Sequence, residues 1–247
     1  MGIELSAIEG LPDIGEGDDL AALIAERVDL ESGDVVVISQ KAVSKAEGRV
    51  RRLGEVTPGE RARELAAELG KDPALVELIL AESRSIVRAE RGVLIVETNS
   101  GWICANAGID ASNVAGEDAV VLPPSDPDAS ARAVRGGLRD SAGVAPAVVV
   151  SDSFSRPWRI GQTDVAIGCA GLLPLDDWRG RADLEGRELA ATAVAVADQL
   201  AAAADLTRDK VSGSPVVLVR GAARLVTEED GPGAAAIQRP AGEDLFR

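Results

Sequence analysis

The chain has 247 residues, 46% of them hydrophobic, enough to bury one large core or two small ones. Its formal charge of −15 at pH 7 argues against nucleic acid or an anionic membrane surface as a partner, since either would meet a negative face. It holds no histidine and no tyrosine, so the usual general base, the usual zinc ligand and the phenolic acid are all missing. Catalysis must then fall to carboxylates, metal ions, Lys, Arg, hydroxyls or backbone amides.

Ile3 to Ile8 reads as a first strand ending in the turn Glu9-Gly10-Leu11-Pro12. Asp18 or Asp19 can cap a helix through Leu20, Leu23, Ile24 and Val28, which share one face at helical spacing. Asp34 to Ser39, DVVVIS, has the unbroken apolar run of a buried strand. It leads into Ser39 to Arg49, SQKAVSKAEGR, read as a loop that carries Lys41 and Lys45, two of the four lysines. Lysines and serines are common in solvated loops, but open sheets also bind ligands at the C-terminal ends of their strands, so a phosphate-contacting role stays open. No GxxxxGK[ST] occurs, so a nucleotide would need another cradle.

Thr57-Pro58 opens a helix that Gly70 closes, and Asp72-Pro73 opens another through Val76, Ile79 and Leu80. Ser85 to Glu90 and Gly92 to Glu97 are strands, and a third follows the hairpin signal Asn99-Ser100-Gly101. The loop Cys104 to Val114, CANAGIDASNV, then leads to a short strand, Val120 to Leu122. Asp126-Pro127-Asp128 caps a helix through Leu138, and the strand Ala147 to Val150 delivers a second polar loop, Ser151 to Gly161, SDSFSRPWRIG. Glu185 to Ala204 reads as an Ala-rich helix and Pro215 to Val219 as a last buried strand. The composition then changes, so residues 1–226 are read as one domain and 227–247 as a linker or tail. This order of strands and helices implies α+β, with mixed sheets and flanking helices.

Two cysteines, Cys104 and Cys169, are too few for a zinc ribbon or a disulfide framework and suit buried thiols in a reduced compartment. The start of the chain lacks the pattern of a secretory signal, and Asp198 and Gln199 interrupt its longest apolar stretch. The expectation is a cytoplasmic protein.

The two polar loops carry the chemistry. Each follows an apolar strand and presents a carboxylate, Asp110 or Asp152, beside an amide or hydroxyl, Asn113 or Ser153. Hard divalent cations such as Mg²⁺ or Mn²⁺ take such oxygen donors. Taken singly, either Asp is more often a turn or helix cap; two such loops together favour the metal site. Arg156 and Arg159 follow Asp152 closely, and guanidinium forks beside metal-binding carboxylates suit phosphate chemistry. Trp102 and Trp158 stand beside the loops as core residues or as a wall for a planar ring, and Asp164 is either a further ligand or the start of the next strand.

SQKAVSKAEGR at 39–49, ANAGIDASNV at 105–114 and DSFSRPWRIGQTD at 152–164 together resemble the coenzyme F420 γ-glutamyl ligase family. LPDI at 11–14 and KVSGSPVVLVRG at 210–221 are similar to it as well. The resemblance implies a ligase that uses GTP and divalent metal to add L-glutamate to coenzyme F420-0, then further glutamates through γ-linkages. It implies the family's distinctive two-part fold, an intertwined homodimer and an association with K⁺. Leu11, Pro12, Asp13, Ile14, Gln40, Lys45 and Asn113 would contact GTP. Asp110 and Asp152 would hold one metal ion and Ser153 a second, with Lys45, Arg156 and Arg159 as candidate catalytic cations. Gln40 stands where many relatives carry a hydroxyl residue. The tail resembles the approach to the flavin-dependent nitroreductase-like domain of the actinobacterial fusion form, so no FMN is expected on this portion. Two other readings stay open: a metal-dependent phosphotransferase or hydrolase on another small acid, and a GTP-binding module without turnover.

Overall fold

The computed structural model describes residues 2–112, 116, 118–208 and 213–245. β1 (Glu4–Ala7) leads to α1 (Leu20–Ala25), which Asp19 caps by accepting from the Ala22 N–H at 3.0 Å. β2 (Val35–Ser39) runs directly into α2 (Gln40–Ala46), and β3 (Val50–Arg52) follows. α3 (Glu60–Leu69) ends at left-handed Gly70, and α4 (Pro73–Ala81) begins with Asp72 accepting from the N–H groups of Ala74 and Leu75. β4 (Ser83–Glu90), β5 (Val93–Thr98) and β6 (Ile103–Ala105) form a meander, and β7 (Ala119–Val121) pairs with β3. α5 (Pro127–Ala142) precedes β8 (Ala147–Arg156) and β9 (Arg159–Ala170). Last come β10 (Leu175–Asp177), β11 (Ala193–Ala195), α6 (Val196–Asp205) and β12 (Val216–Arg220).

The main sheet has five strands in the order β1-β12-β2-β8-β9, with β2 and β8 parallel and every other pair antiparallel. Residues of β2 alternate between two cores. Val36 and Ile38 pack with α1 and α5 on one face, and Val35 and Val37 pack with α6 on the other. A strand buried on both sides reads as an unbroken apolar run for that reason. A third core joins α3 and α4 to the inner face of the β4-β5-β6 sheet through Leu65, Val76, Ile79, Leu94 and Val96. This is the mixed α+β architecture that the element order implied. Gly168 is where α5 crosses β9: a Cβ there would sit 2.2 Å from the Pro127 carbonyl oxygen, a separation that no side chain allows.

Three expectations need correction. Residues 40–46 form a helix, because Ala42, Val43 and Ser44 turn into the core and the segment holds no Gly or Pro until left-handed Gly48 stops it. Lys41 and Lys45 therefore stand on a helix. Residues 151–161 form a long hairpin: Ser153 pairs with Asp164 and Phe154 with Thr163, so β8 continues six residues past Val150. Ser and Asp are poor strand formers in isolation, and here the partner strand overrides their preference. The Ala-rich helix starts only at Val196. Before it, β10 and β11 pair, with an exposed excursion between them.

Residues after 226, read as linker by composition, dock on the body. The Arg135 guanidinium reaches Asp230 Oδ1 at 2.7 Å, Asp128 accepts from the N–H groups of Ala234 and Ala235, and Gln238 donates to the Ser100 carbonyl. Among the described residues no helix is long and apolar enough to cross a membrane.

Candidate functional site

Strand direction brings five chain segments to one edge of the main sheet. The C-terminal end of β1 lies beside the start of β12 (Ala7 opposite Val217), which lies beside the end of β2 (Val216 opposite Ile38). Ser39 of β2 is level with Ser151 of β8, and Asp152 is level with Val165 of β9. The connections leaving these ends enclose a cavity of about 680 Å³. Its walls are Leu11 to Ile14 after β1, Ser39 to Ala42 with Lys45 at α2, Ser151 to Ser153 on β8, Asp164 on β9, and Asp205, Arg208 and Gly213 to Pro215 before β12. The parallel pair β2 and β8 places this crevice where open sheets bind ligands.

Asp110 and Ser112, between β6 and β7, complete the lining of the cavity. They are brought there by a turn in which Asn106, Ala107 and Gly108 all take positive φ (53°, 55° and 71°). Left-handed backbone is unfavourable for the first two of these residues, and such conformations collect at functional sites. The turn is fixed by a bridge between Asp110 and Val121, with N–H to carbonyl distances of 3.1 and 2.8 Å. It also rests against the other carboxylate: a Cβ on Gly108 would lie 3.4 Å from Asp152 Oδ2. The two aspartates singled out by the sequence therefore face one space.

Their electrostatics differ. Lys41 Nζ lies 2.8 Å from Asp110 Oδ2 and donates to the carbonyl and hydroxyl oxygens of Ser112. Burial tends to raise the Asp110 pKa, but the hydrogen bonds from Lys41 and from Ser112 outweigh it and hold this carboxyl below its ordinary value. Asp152 is pushed up to about 7, first by burial and then by the carboxylates of Asp164 and Asp110, against a hydrogen bond from the Ser153 N–H and the charge of Lys41. Behind it, burial followed by the Asp152 charge pushes the Cys104 thiol up to about 12, so this cysteine is inert.

Leu11, Pro12, Asp13, Ile14, Gln40, Lys45, Asp110, Asp152 and Ser153 all line the cavity. Lys45 Nζ pairs with Asp13 Oδ1 at 2.9 Å, joining the β1 connection to α2. The Gln40 side chain is buried within that lining, and its amide nitrogen donates to Ser44 Oγ at 2.7 Å and to the Leu122 carbonyl at 3.3 Å. Arg156 and Arg159 are not among the lining residues. They flank the exposed tip of the β8-β9 hairpin, where Arg156 donates to the Ile160 carbonyl, because the extended pairing carries them away from Asp152. Asn113 and Lys210 lie outside the described residues.

The lining also holds Lys41, from the segment given a possible phosphate-contacting role, and Ser112, Ser151, Asp205, Arg208 and Ser214, which the sequence had not singled out. Ser151 had a signal, its spacing of two from Ser153, once the segment is taken as a strand. Arg208 had none, since its place depends on the return of the chain from α6.

The donor set fits a hard cation. Two carboxylates and a hydroxyl supply oxygen ligands only, and burial, followed by the neighbouring carboxylates, has driven one of them far from its ordinary pKa. Among the described residues no group of three or more Asp, Glu, Cys or His side chains could hold a metal ion. Waters and substrate oxygens would therefore complete the shell, as is usual for Mg²⁺ at phosphate sites.

Residues 10–221 match the family described as F420-0:Gamma-glutamyl ligase. The chain is 45% identical over 254 residues to the coenzyme F420:L-glutamate ligase of Methanothermobacter thermautotrophicus, with both chains covered in full. It is 46% identical over 222 residues to that of Archaeoglobus fulgidus, covering 90% of this chain and 88% of the relative. With that of Methanopyrus kandleri it shares 45% identity over 251 residues, covering 100% and 99%.

Proposed function

The chain belongs to the F420-0:gamma-glutamyl ligase family, and from that premise we propose that it is a GTP-dependent ligase joining L-glutamate to coenzyme F420-0. Further glutamates then add through γ-linkages. The observation that carries this reading is the convergence of Leu11 to Ile14, Lys45, Asp110, Asp152 and Ser153 on one cavity from separated stretches of sequence. At about 680 Å³ the cavity lies well inside the range of ligand sites, roughly 300–1,000 Å³, with room for two reactants side by side.

An amine does not displace oxide from a carboxylate at neutral pH, so the acid must first be activated. In the proposed reaction the acid's carboxylate oxygen takes the γ-phosphoryl group, giving an acyl phosphate and GDP. The glutamate amine then attacks the acyl carbon, phosphate leaves with the electron pair of the broken C–O bond, and the nitrogen loses a proton. Leu11, Pro12 and Ile14 offer an apolar wall for a planar base, and Lys45 offers a cation for phosphate oxygens. Lys41 keeps Asp110 ionised. Asp110, Asp152 and Ser153 would hold the divalent cations, Mg²⁺ or Mn²⁺, which when bound offset charge on the phosphates during transfer. Lys45 is the candidate catalytic cation, because Arg156 and Arg159 lie at the hairpin tip.

The test is mass spectrometry of coenzyme F420-0 incubated with the protein, GTP, Mn²⁺ and L-glutamate, each omitted in turn. Mass steps of one glutamyl unit that need every component support the ligase. GTP hydrolysis without glutamyl transfer overturns it in favour of a phosphotransferase or hydrolase.

A further inference from the structure

Among the residues lining the cavity, Asp164, Arg208 and Ser151 have no role in the mechanism above. Asp164 lies on β9 directly opposite Ser153 on β8, and both its oxygens are engaged. Oδ1 accepts from Ser153 Oγ at 2.7 Å, and Oδ2 accepts from Ser151 Oγ at 2.8 Å and from Arg208 Nη2 at 2.6 Å. The Asp164 and Arg208 side chains are 5% and 8% exposed, so the pair is almost sealed from water. Arg208 Nη2 also reaches Ser151 Oγ at 3.1 Å, and its Nη1 reaches the Pro215 carbonyl at 3.2 Å, which ties β8 and β9 to the chain entering β12.

A serine hydroxyl has one hydrogen and two lone pairs. With its hydrogen donated sideways to Asp164, the Ser153 oxygen turns lone pairs toward the cavity that it lines. We propose that Asp164 is a positioning residue that holds Ser153 Oγ as a ligand for a divalent cation without binding the cation itself. A ligand role for Asp164 would have to give up the Ser153 hydrogen bond at Oδ1 or displace the guanidinium 2.6 Å from Oδ2, whereas the orienting role uses the bonds already made. The cross-strand register builds this arrangement into the ladder, so it exists before any ligand arrives. The inference rests on the reading of the cavity as a metal-dependent site.

The experiment is Mn²⁺ binding followed by electron paramagnetic resonance on the intact protein, without nucleotide, for the parent, Ser153→Ala, Asp164→Asn and the double variant. Ser153→Ala and Asp164→Asn should each weaken binding by about 10- to 100-fold, the range for loss of an orienting partner. The double variant should bind no more weakly than Ser153→Ala, because Asp164 acts through the hydroxyl. A purely structural role for Asp164 predicts losses that multiply, and that result overturns the proposal. Parent-like binding by Asp164→Asn overturns it too and leaves the metal site standing. A parent that binds no Mn²⁺ removes both readings. Should Asp164→Asn fail to fold with Arg208 unpaired, Asp164→Leu with Arg208→Met replaces the ion pair by an apolar one of similar volume. That folded double variant must show the same weakened Mn²⁺ binding.

Discussion

Replacing Asp152 with Asn should stabilise the metal-free protein while abolishing its response to metal. A carboxyl displaced from 3.8 to about 7 carries a penalty of about 4 kcal/mol once fully ionised. Asp152 keeps some contact with the cavity, so screening reduces the expected gain to roughly 2 kcal/mol. The sign follows from the ionised form being the disfavoured one in the fold. The penalty is absent below the ordinary carboxyl pKa, grows as pH rises, and is complete above about 7. Asn keeps an oxygen to accept from the Ser153 N–H, so the local hydrogen bond survives. Thermal unfolding in EDTA should then show Asp152→Asn melting about 4–8 °C above the parent at pH 8, with little difference at pH 4. Added Mn²⁺ should raise the melting temperature of the parent only. A variant less stable than the parent at pH 8, or a gain that persists unchanged at pH 4, would refute the reasoning.

Mn²⁺ must compete with the proton on Asp152, so its affinity should fall about tenfold per pH unit below about 7 and level off above, measured by titration calorimetry; a flat profile rules Asp152 out as a ligand. Lys45→Ala should raise the KM for GTP more than that for glutamate, and an equal loss for both would mean that the Asp13 pairing is structural. Lys41→Met removes the main hydrogen bond that lowers the Asp110 pKa, so an NMR titration should find that carboxyl moved upward. In the parent, the stability held by this ion pair is present above the ordinary carboxyl pKa and lost as pH falls through the lowered one; the variant should lack that loss. Gly168→Ala forces a methyl group to within 2.2 Å of the Pro127 carbonyl oxygen and should cost about 1–3 kcal/mol in urea unfolding.

Much of the fold was legible from local pattern. DVVVIS announces a strand buried on both faces, Asp72-Pro73 and Asp126-Pro127 announce helix starts, and Asn99-Ser100-Gly101 announces a hairpin, because burial periodicity, fixed φ and capping act within a few residues. The motif residues Leu11 to Ile14, Lys45, Asp110, Asp152 and Ser153 were legible as types suited to phosphate and metal. Their meeting was not. Asp110 reaches Asp152 only through a turn of three positive-φ residues, and Lys45 faces the cavity only because 40–46 wind into a helix. Pairing with β9 keeps Ser153 at the cavity and carries Arg156 and Arg159 away from it. Arg208 and Asp164, 44 residues apart, become partners through the return of the chain from α6. Local sequence carries the preferences of each segment, whereas strand register and crossover direction decide which distant side chains share a space, and those depend on burying all three cores at once.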